Sequence, residues 1–437
     1  YIILSIPILS TQGNIGWLLP LTCFALLLIA FGNGLFKGNL QAIVGQMYDN
    51  FEAEAQAQGP EAYRRVQGKR DSGFQIFYVF INVGGLIAPF VAPLLREWWL
   101  NTHGLIYNAA LPAACHQYIL EGASMVGDPM NNLLGLIGKV GGTVDANSPD
   151  SIRAFCESYL DIFNTGIHYS FIASVAAMLI SLIIFMVNQK IFPVPAKKEK
   201  QVVEDYTPEE RAEMAGEIKR RMYALFAVLG IVIFFWLSFH QNGQSLSLFA
   251  RDFVQTDNLA PEIWQAVNPF FVITLTPIVM LIFGALSKRG REISTPRKIA
   301  IGMGIAGLAF LFLAIFSFMQ GYPSGADFKD MSDAKQSAIK AGPWVLIVLY
   351  FFLTVAELFI SPLGLSFVSK VAPKHLQGLC QGLWLGATAI GNLFLWIGPL
   401  MYNKMPIWQC WTVFLTICLI SMFVMLGMLK WLEKIAK

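Results

Sequence analysis

The sequence predicts an all-α membrane protein that crosses the bilayer many times, and three observations carry that prediction. Of its 437 residues 55% are hydrophobic and only 14% are charged, whereas a water-soluble chain of this size is nearer ~45–50% apolar. Mean hydropathy is +0.55, and apolar runs of about 20 residues, enough for a helix to cross the hydrocarbon core, recur along the whole length. The runs are unbroken and show no period-two alternation, which excludes a transmembrane β-barrel.

Taken in order, complete spans are expected at roughly 18–40, 73–95, 168–187, 222–249, 265–286, 299–319, 344–369, 378–400 and 408–430. The opening run YIILSIPIL is too short to span, starts with Tyr, and has neither a basic n-region nor a small-residue cleavage site, so it reads as the tail of a span that begins earlier. Between the second and third spans, Trp99–Gly166 is polar and rich in Gly and Asn, with short helical stretches at best at MNNLLGLIGKV and SIRAFCESYLDIF. Loops this long are functional elements, disordered segments or small appended domains. After the third span comes PVPAKKEK and then TPEERAEMAGEIKRR, in which Thr207, Pro208 and Glu210 supply an N-cap, a first-turn proline and a capping-box partner. The expected organisation is therefore a partial N-terminal bundle over 1–190 with an outer insertion at 99–166. A cytoplasmic linker and charged helix over 191–221 follow, then a C-terminal bundle over 222–437. Glycines and prolines such as Gly84, Gly85, Pro277, Pro362, Gly364 and Gly386 fall inside spans, where helices pack closely or bend.

The formal net charge of +3 says little, but its distribution orients the chain. If the loop Asp49–Ser72 is cytoplasmic and the spans alternate, 22 of the 31 Lys and Arg lie on the inner side and 8 on the outer. That is the positive-inside bias. The basic residues hug span ends and form no continuous face, so nucleic-acid binding is not expected. The six cysteines are scattered without a CxxC pair, which argues against a zinc site. Cys115 and Cys156 share the outer segment, and both a disulfide and two free thiols are compatible with that spacing. No HExxH, nucleophile elbow or clustered His/Asp set is present, so an enzyme is not expected.

Polar residues at membrane depth are the candidate functional set: Lys37, Asn82, His240, Gln241, Asn242, Asn268 and Glu357, with Asn39 and Asn392 as lesser members. Interhelical hydrogen bonding accounts for Asn392 and Gln241. A charge is different, costing roughly 2.5–3.5 kcal/mol at the bilayer centre on insertion scales. Glu357, in the middle of Trp344–Ser369, and Lys37, in the first complete span, therefore need a wet cavity or one another. A carboxylate and an ammonium facing one cavity would grip a zwitterion; a direct Lys37–Glu357 salt bridge is the structural alternative.

Several stretches resemble one known family. FYVFINVGGL (Phe77–Leu86) fits the FYxxINxGxL pattern of the proton-dependent oligopeptide transporters, a branch of the major facilitator superfamily. GNGLFKGNLQAIVGQMYD (Gly32–Asp49) is similar to that family's lysine-bearing fourth helix, and KRDSGF (Lys69–Phe74) to the inner loop that follows. QAVNPFFVITLTP (Gln265–Pro277) resembles the eighth helix, and VAELFISPLGLSFVSKVAPK (Val355–Lys374) the tenth. The resemblance implies two six-helix bundles, with this sequence starting near the end of the third helix. The ExxERFxYY motif of the family's first helix would then precede residue 1.

It further implies a symporter that imports di- and tripeptides with protons, working as a monomer in the cytoplasmic membrane with no cofactor beyond the proton. Lys37 would lie near the peptide carboxylate, Glu357 would receive the peptide ammonium, Asn82 and Asn268 would flank that amine, and Trp384 would line a side-chain pocket. Asp252 resembles a gate acid whose arginine partner sits on a helix before residue 1. His240 departs from the family pattern, standing four positions after Trp236 where many members have glutamate. It suits either a coupling role, since histidine titrates near neutral pH, or a neutral hydrogen-bonding one. The competing function is a transporter of the same fold for an amino acid, nitrate or a peptide-like compound.

Overall fold

The computed structural model describes residues 1–8, 15–66, 69–108, 110–193, 208–255, 264, 266–291 and 293–435. Among these, helices dominate, and nine are long and apolar enough to cross a membrane, matching the nine spans read from the sequence. The Thr207 cap and the PVPAKKEK linker after Pro193 lie outside the described residues. The chain divides into two compact units, residues 1–33 with 87–191 and residues 34–86 with 192–437.

The first unit contains α1 (Ile2–Ser5), α5 (Leu111–Glu121), α6 (Asp128–Lys139) and α7 (Pro149–Asn188), together with parts of α2 (Ile15–Gln58) and α4 (Lys69–Thr102). The outer segment is more ordered than its composition suggests. It builds its own core from Leu111, Cys115, Tyr118, Leu133, Ile137, Ile152, Cys156 and Tyr159. SIRAFCESYLDIF is the first part of α7, which starts at a Ser148 cap with Pro149 in its first turn and runs unbroken into the third span. MNNLLGLIGKV becomes α6. The sequence reading missed α5, whose Leu111, Cys115 and Tyr118 are buried in this core. Tyr118 donates to Pro149 O at 3.2 Å, tying α5 to the start of α7. Cys115 and Cys156 are both fully buried and neither is in a disulfide; their thiols face one another as a hydrogen-bonded pair. At the membrane edge the Arg96 guanidinium lies 4.0 Å over the Tyr107 ring.

The second unit holds the rest of α2 and α4, α3 (Pro60–Val66), α8 (Pro208–Phe239), α9 (Ser245–Phe253), α10 (Val267–Lys288), α11 (Thr295–Met319), α12 (Gly325–Lys329), α13 (Asp333–Ile339), α14 (Trp344–Val371), α15 (Gln377–Leu393), α16 (Ile397–Lys404), α17 (Ile407–Gly427) and α18 (Leu429–Ile435). Its main core joins α8, α11, α14, α15 and α17 through side chains such as Phe235, Phe310, Leu349, Trp411 and Phe414. Helix α14 is the pivot, buried along most of its length and packed against α8, α10, α11 and α15. Between two membrane helices there is no hydrophobic driving force, so close van der Waals packing of small residues matters most. Gly302 of α11 shows it: a Cβ there would lie 2.7 Å from Phe359 Cβ and 3.0 Å from Ala356 O.

Gly302→Leu should therefore separate α11 from α14. Overpacking of this kind costs about 1–3 kcal/mol, and a lowered thermal-unfolding midpoint in detergent, with a Gly304→Ala control beside the more yielding Met422, checks it.

Candidate functional site

Three helices converge on Glu357. It lies on α14, 7% exposed, and its two carboxylate oxygens are held from different directions. Oε1 accepts a short hydrogen bond from the Tyr78 hydroxyl of α4, and Oε2 accepts from Asn268 Nδ2 of α10 at 2.7 Å. Asn268 Nδ2 also donates to Thr354 Oγ1 at 3.0 Å, less than one turn before Glu357 on the same helix. Both partners can donate to an ionised carboxylate, and the Tyr78 hydroxyl can equally accept from a protonated one, so the arrangement accommodates either form. The Tyr78 ring packs with Val272, Leu275, Val279 and Leu358, so apolar contacts of α10 and α14 aim the hydroxyl.

Asn82 stands one turn after Tyr78. Its amide donates to Tyr78 O at 2.9 Å within its own helix and does not touch Glu357. Tyr78 escaped the sequence reading although it belongs to the FYVFINVGGL stretch. The signal was its i,i+4 relation to Asn82, which puts both on one helix face.

Lys37 is exposed, and no ion pair joins it to Glu357 among the described residues, so the direct salt bridge is not formed. Position 38 fixes where Lys37 sits: the chain there runs so close to α15 that a Cβ would lie 3.5 Å from Gly378 O and 3.6 Å from Gly382 N. Lys37 is near enough to His240 for their charges to interact. His240 stacks on Trp236 with ring centroids 4.7 Å apart, and its Nδ1 donates to Asn392 Oδ1 at 2.5 Å. That bond puts a proton on Nδ1 and leaves Nε2 as the second functional atom. Asn392 thus makes an interhelical bond, as does Gln241, which donates to Leu395 O at 3.2 Å.

Trp384 is buried, and its ring covers Gly364 of α14, where a Cβ would meet it at 2.1 Å. Asp252, 5% exposed, takes a forked pair of bonds from its neighbour Arg251 at 2.7 and 3.1 Å and a third from Tyr402 Oη at 3.0 Å. Its partner in this structure is the adjacent arginine.

A second polar centre, unforeseen in the sequence reading, links α4 to α2, α11 and α14, and α2 to α15. Asp71 accepts from Lys298 Nζ at 2.9 Å, Lys370 Nζ at 2.7 Å and Ser366 Oγ at 2.6 Å, with Thr295 Oγ1 at 3.1 Å. Beside it Arg70 binds Asp49 at 2.6 Å and Glu52 at 2.9 Å and donates to Ser369 O at 3.2 Å. Gln377 Nε2 completes the set on Asp49 at 2.8 Å. KRDSGF was the available signal, but the partners of Asp71 are more than 200 residues away in sequence.

Comparison with known proteins now decides the family. The model of the POT family matches residues 1–208 and 197–407. The chain belongs to the POT family. It is 27% identical over 384 residues to dipeptide and tripeptide permease B of Xenorhabdus bovienii, covering 85% of this chain and 65% of that relative. It is 27% identical over 416 residues to the peptide transporter YePEPT of Yersinia enterocolitica, covering 89% and 69%. The chain thus spans about two thirds of the length of these relatives. Among solved structures, a mutant of the peptide transporter POT in complex with alafosfalin superposes with a TM-score of 0.52 at 19% identity, covering 99% of this chain and 78% of that one. At that identity the likeness speaks for fold: an all-α, multi-pass membrane protein of the major facilitator type.

Two outcomes test this geometry. Tyr78→Phe should leave Glu357 short of a buried donor, a loss of about 1–3 kcal/mol seen as a lower melting midpoint that Glu357→Gln diminishes when the two are combined. Asp71→Ala should strand the buried Lys298 and the partly exposed Lys370 and cost about 3–5 kcal/mol, more than Arg251→Ala at the half-exposed outer pair, by the same measurement.

Proposed function

We propose that this chain forms the greater part of a proton-coupled symporter that imports di- and tripeptides across the cell membrane, with Glu357 receiving the substrate ammonium. The observation that carries this reading is the buried Glu357 carboxylate with Tyr78 and Asn268 as its donors. An ammonium brought against it would make a charge-assisted bond, stronger than either neutral one. Lys37, exposed and away from that acid, would take the substrate carboxylate. A dipeptide carries just this pair of opposite poles, and the relatives named above are peptide permeases.

Proton coupling follows from the same group. Burial favours a neutral carboxyl, whereas a nearby cation favours the charged one. Glu357 would take a proton when no amine is present and release it when one arrives, with His240, paired to Asn392, as a second proton-carrying group. Asn82 and Trp384 would bound the substrate on the α4 and α15 sides, and Asp252 would work at the outer end. Alternating access requires that substrate and proton bias two states differently. In this reading the Arg70 and Asp71 ties hold the inner ends closed in one state and part in the other. The protein would act as a monomer in the cytoplasmic membrane, without metal, nucleic acid or enzymatic activity.

Uptake of a labelled dipeptide into sealed vesicles under an inward proton gradient tests the proposal. Glu357→Gln and Lys37→Ala should each weaken uptake roughly ten- to hundredfold, the value of a lost charge-assisted contact. Unchanged uptake in both variants refutes the assignment. Competition by nitrate or free amino acids, with no effect of dipeptides, would transfer the site to another solute.

A further inference from the structure

A cavity of about 160 Å³ opens where α4, α10 and α11 reach the cytoplasmic side, apart from the ring of residues around Glu357. Its lining is apolar at Met280, Phe283 and Ile293 and polar or basic at Lys69, Ser287 and Lys298. Within it lies Gln75, only 2% exposed, whose Nε2 has no hydrogen-bond partner. An unmet buried donor is costly, and nothing in the described fold around it supplies the acceptor.

The charge points the same way. Asp71 also lines the cavity but is shared between Lys298 and Lys370, so the lysines outnumber the acid. Lys69 is exposed and has no acid partner among the described residues. Lys288, Arg289 and Arg291 follow at the same end of α10, all exposed. The cavity therefore offers ammonium and amide donors to an oxyanion. On the same helix as Met280 and Phe283, Ile278, Leu281 and Ile282 are 51%, 73% and 53% exposed. Those side chains belong against hydrocarbon, so the occupant that fits has a phosphate at its head and an apolar body along the helix. Basic pockets between transmembrane helices on the cytoplasmic side are suited to such headgroups.

We propose that this cavity binds the phosphate of an anionic phospholipid from the inner leaflet, with Lys69 and Gln75 as its donors. The phosphate chemistry is shared with free inorganic phosphate, so the experiment separates the two. The protein is melted in phosphatidylcholine nanodiscs, in the same nanodiscs containing phosphatidylglycerol, and in phosphatidylcholine nanodiscs with added inorganic phosphate. Native mass spectrometry counts retained phosphatidylglycerol in parallel. The expected result is a midpoint raised by phosphatidylglycerol alone. Retention should fall roughly tenfold in Lys69→Ala, equivalent to about 1.4 kcal/mol, and further when Gln75→Leu is added. Lys69 is exposed, so its variant tests the site even if the buried substitution fails to fold. Equal midpoints in the two lipids, or retention unchanged by Lys69→Ala, overturn the proposal. A stabilisation reproduced by inorganic phosphate overturns the lipid assignment and gives the cavity to the free ion.

Discussion

A carboxylate placed within a bilayer must be given hydrogen-bond donors by the protein, because hydrocarbon offers none. Much of the second unit is arranged around meeting that requirement at Glu357. Tyr78 and Asn268 reach it from α4 and α10, while Thr354 on α14 shares the Asn268 amide. Three helices are thereby positioned by one side chain. Both contacts are neutral donors, and a substrate cation could improve on them. An acid satisfied in the empty site yet available to a stronger partner is what reversible recognition needs. A permanent Lys37–Glu357 bridge would have closed it.

The inner ends obey the same physics with more charges. Arg70 and Asp71 are adjacent, and successive helical residues point about 100° apart. One turn of α4 therefore faces two ways: Arg70 toward Asp49 and Glu52, and Asp71 toward Lys298 and Lys370. Arg70 and Asp71 each have more than one opposite partner, which offsets the desolvation that makes isolated buried pairs poor stabilisers. Lys69, without an acid partner among the described residues, borders the cavity whose buried amide also lacks a partner among them. Both point to an acceptor from outside the chain.

The outer segment follows a different rule. Helices α5 and α6 are too short to cross a bilayer, and with the start of α7 they bury apolar side chains against one another. A core of modest size holds α5, α6 and the start of α7 together. Composition alone hid this, since its apolar positions come in short stretches broken by Gly, Asn and Pro. Tyr118 and Cys115 are informative only once α5 has folded onto α7.

By itself the sequence determined the membrane class and the nine spans, because length and apolarity act locally and add along the chain. It also determined that Glu357 and Lys37 must be special, since a charge at membrane depth is expensive wherever the helix sits. Which residues answer those charges was decided by tertiary structure alone. Tyr78 and Glu357 are 279 residues apart, so their contact comes from helix packing and not from neighbourhood in sequence. The same holds for Asp71 with Lys298 and for His240 with Asn392. A hydrogen bond depends on distances of a few ångströms between side chains, and only the packing of helices sets those distances.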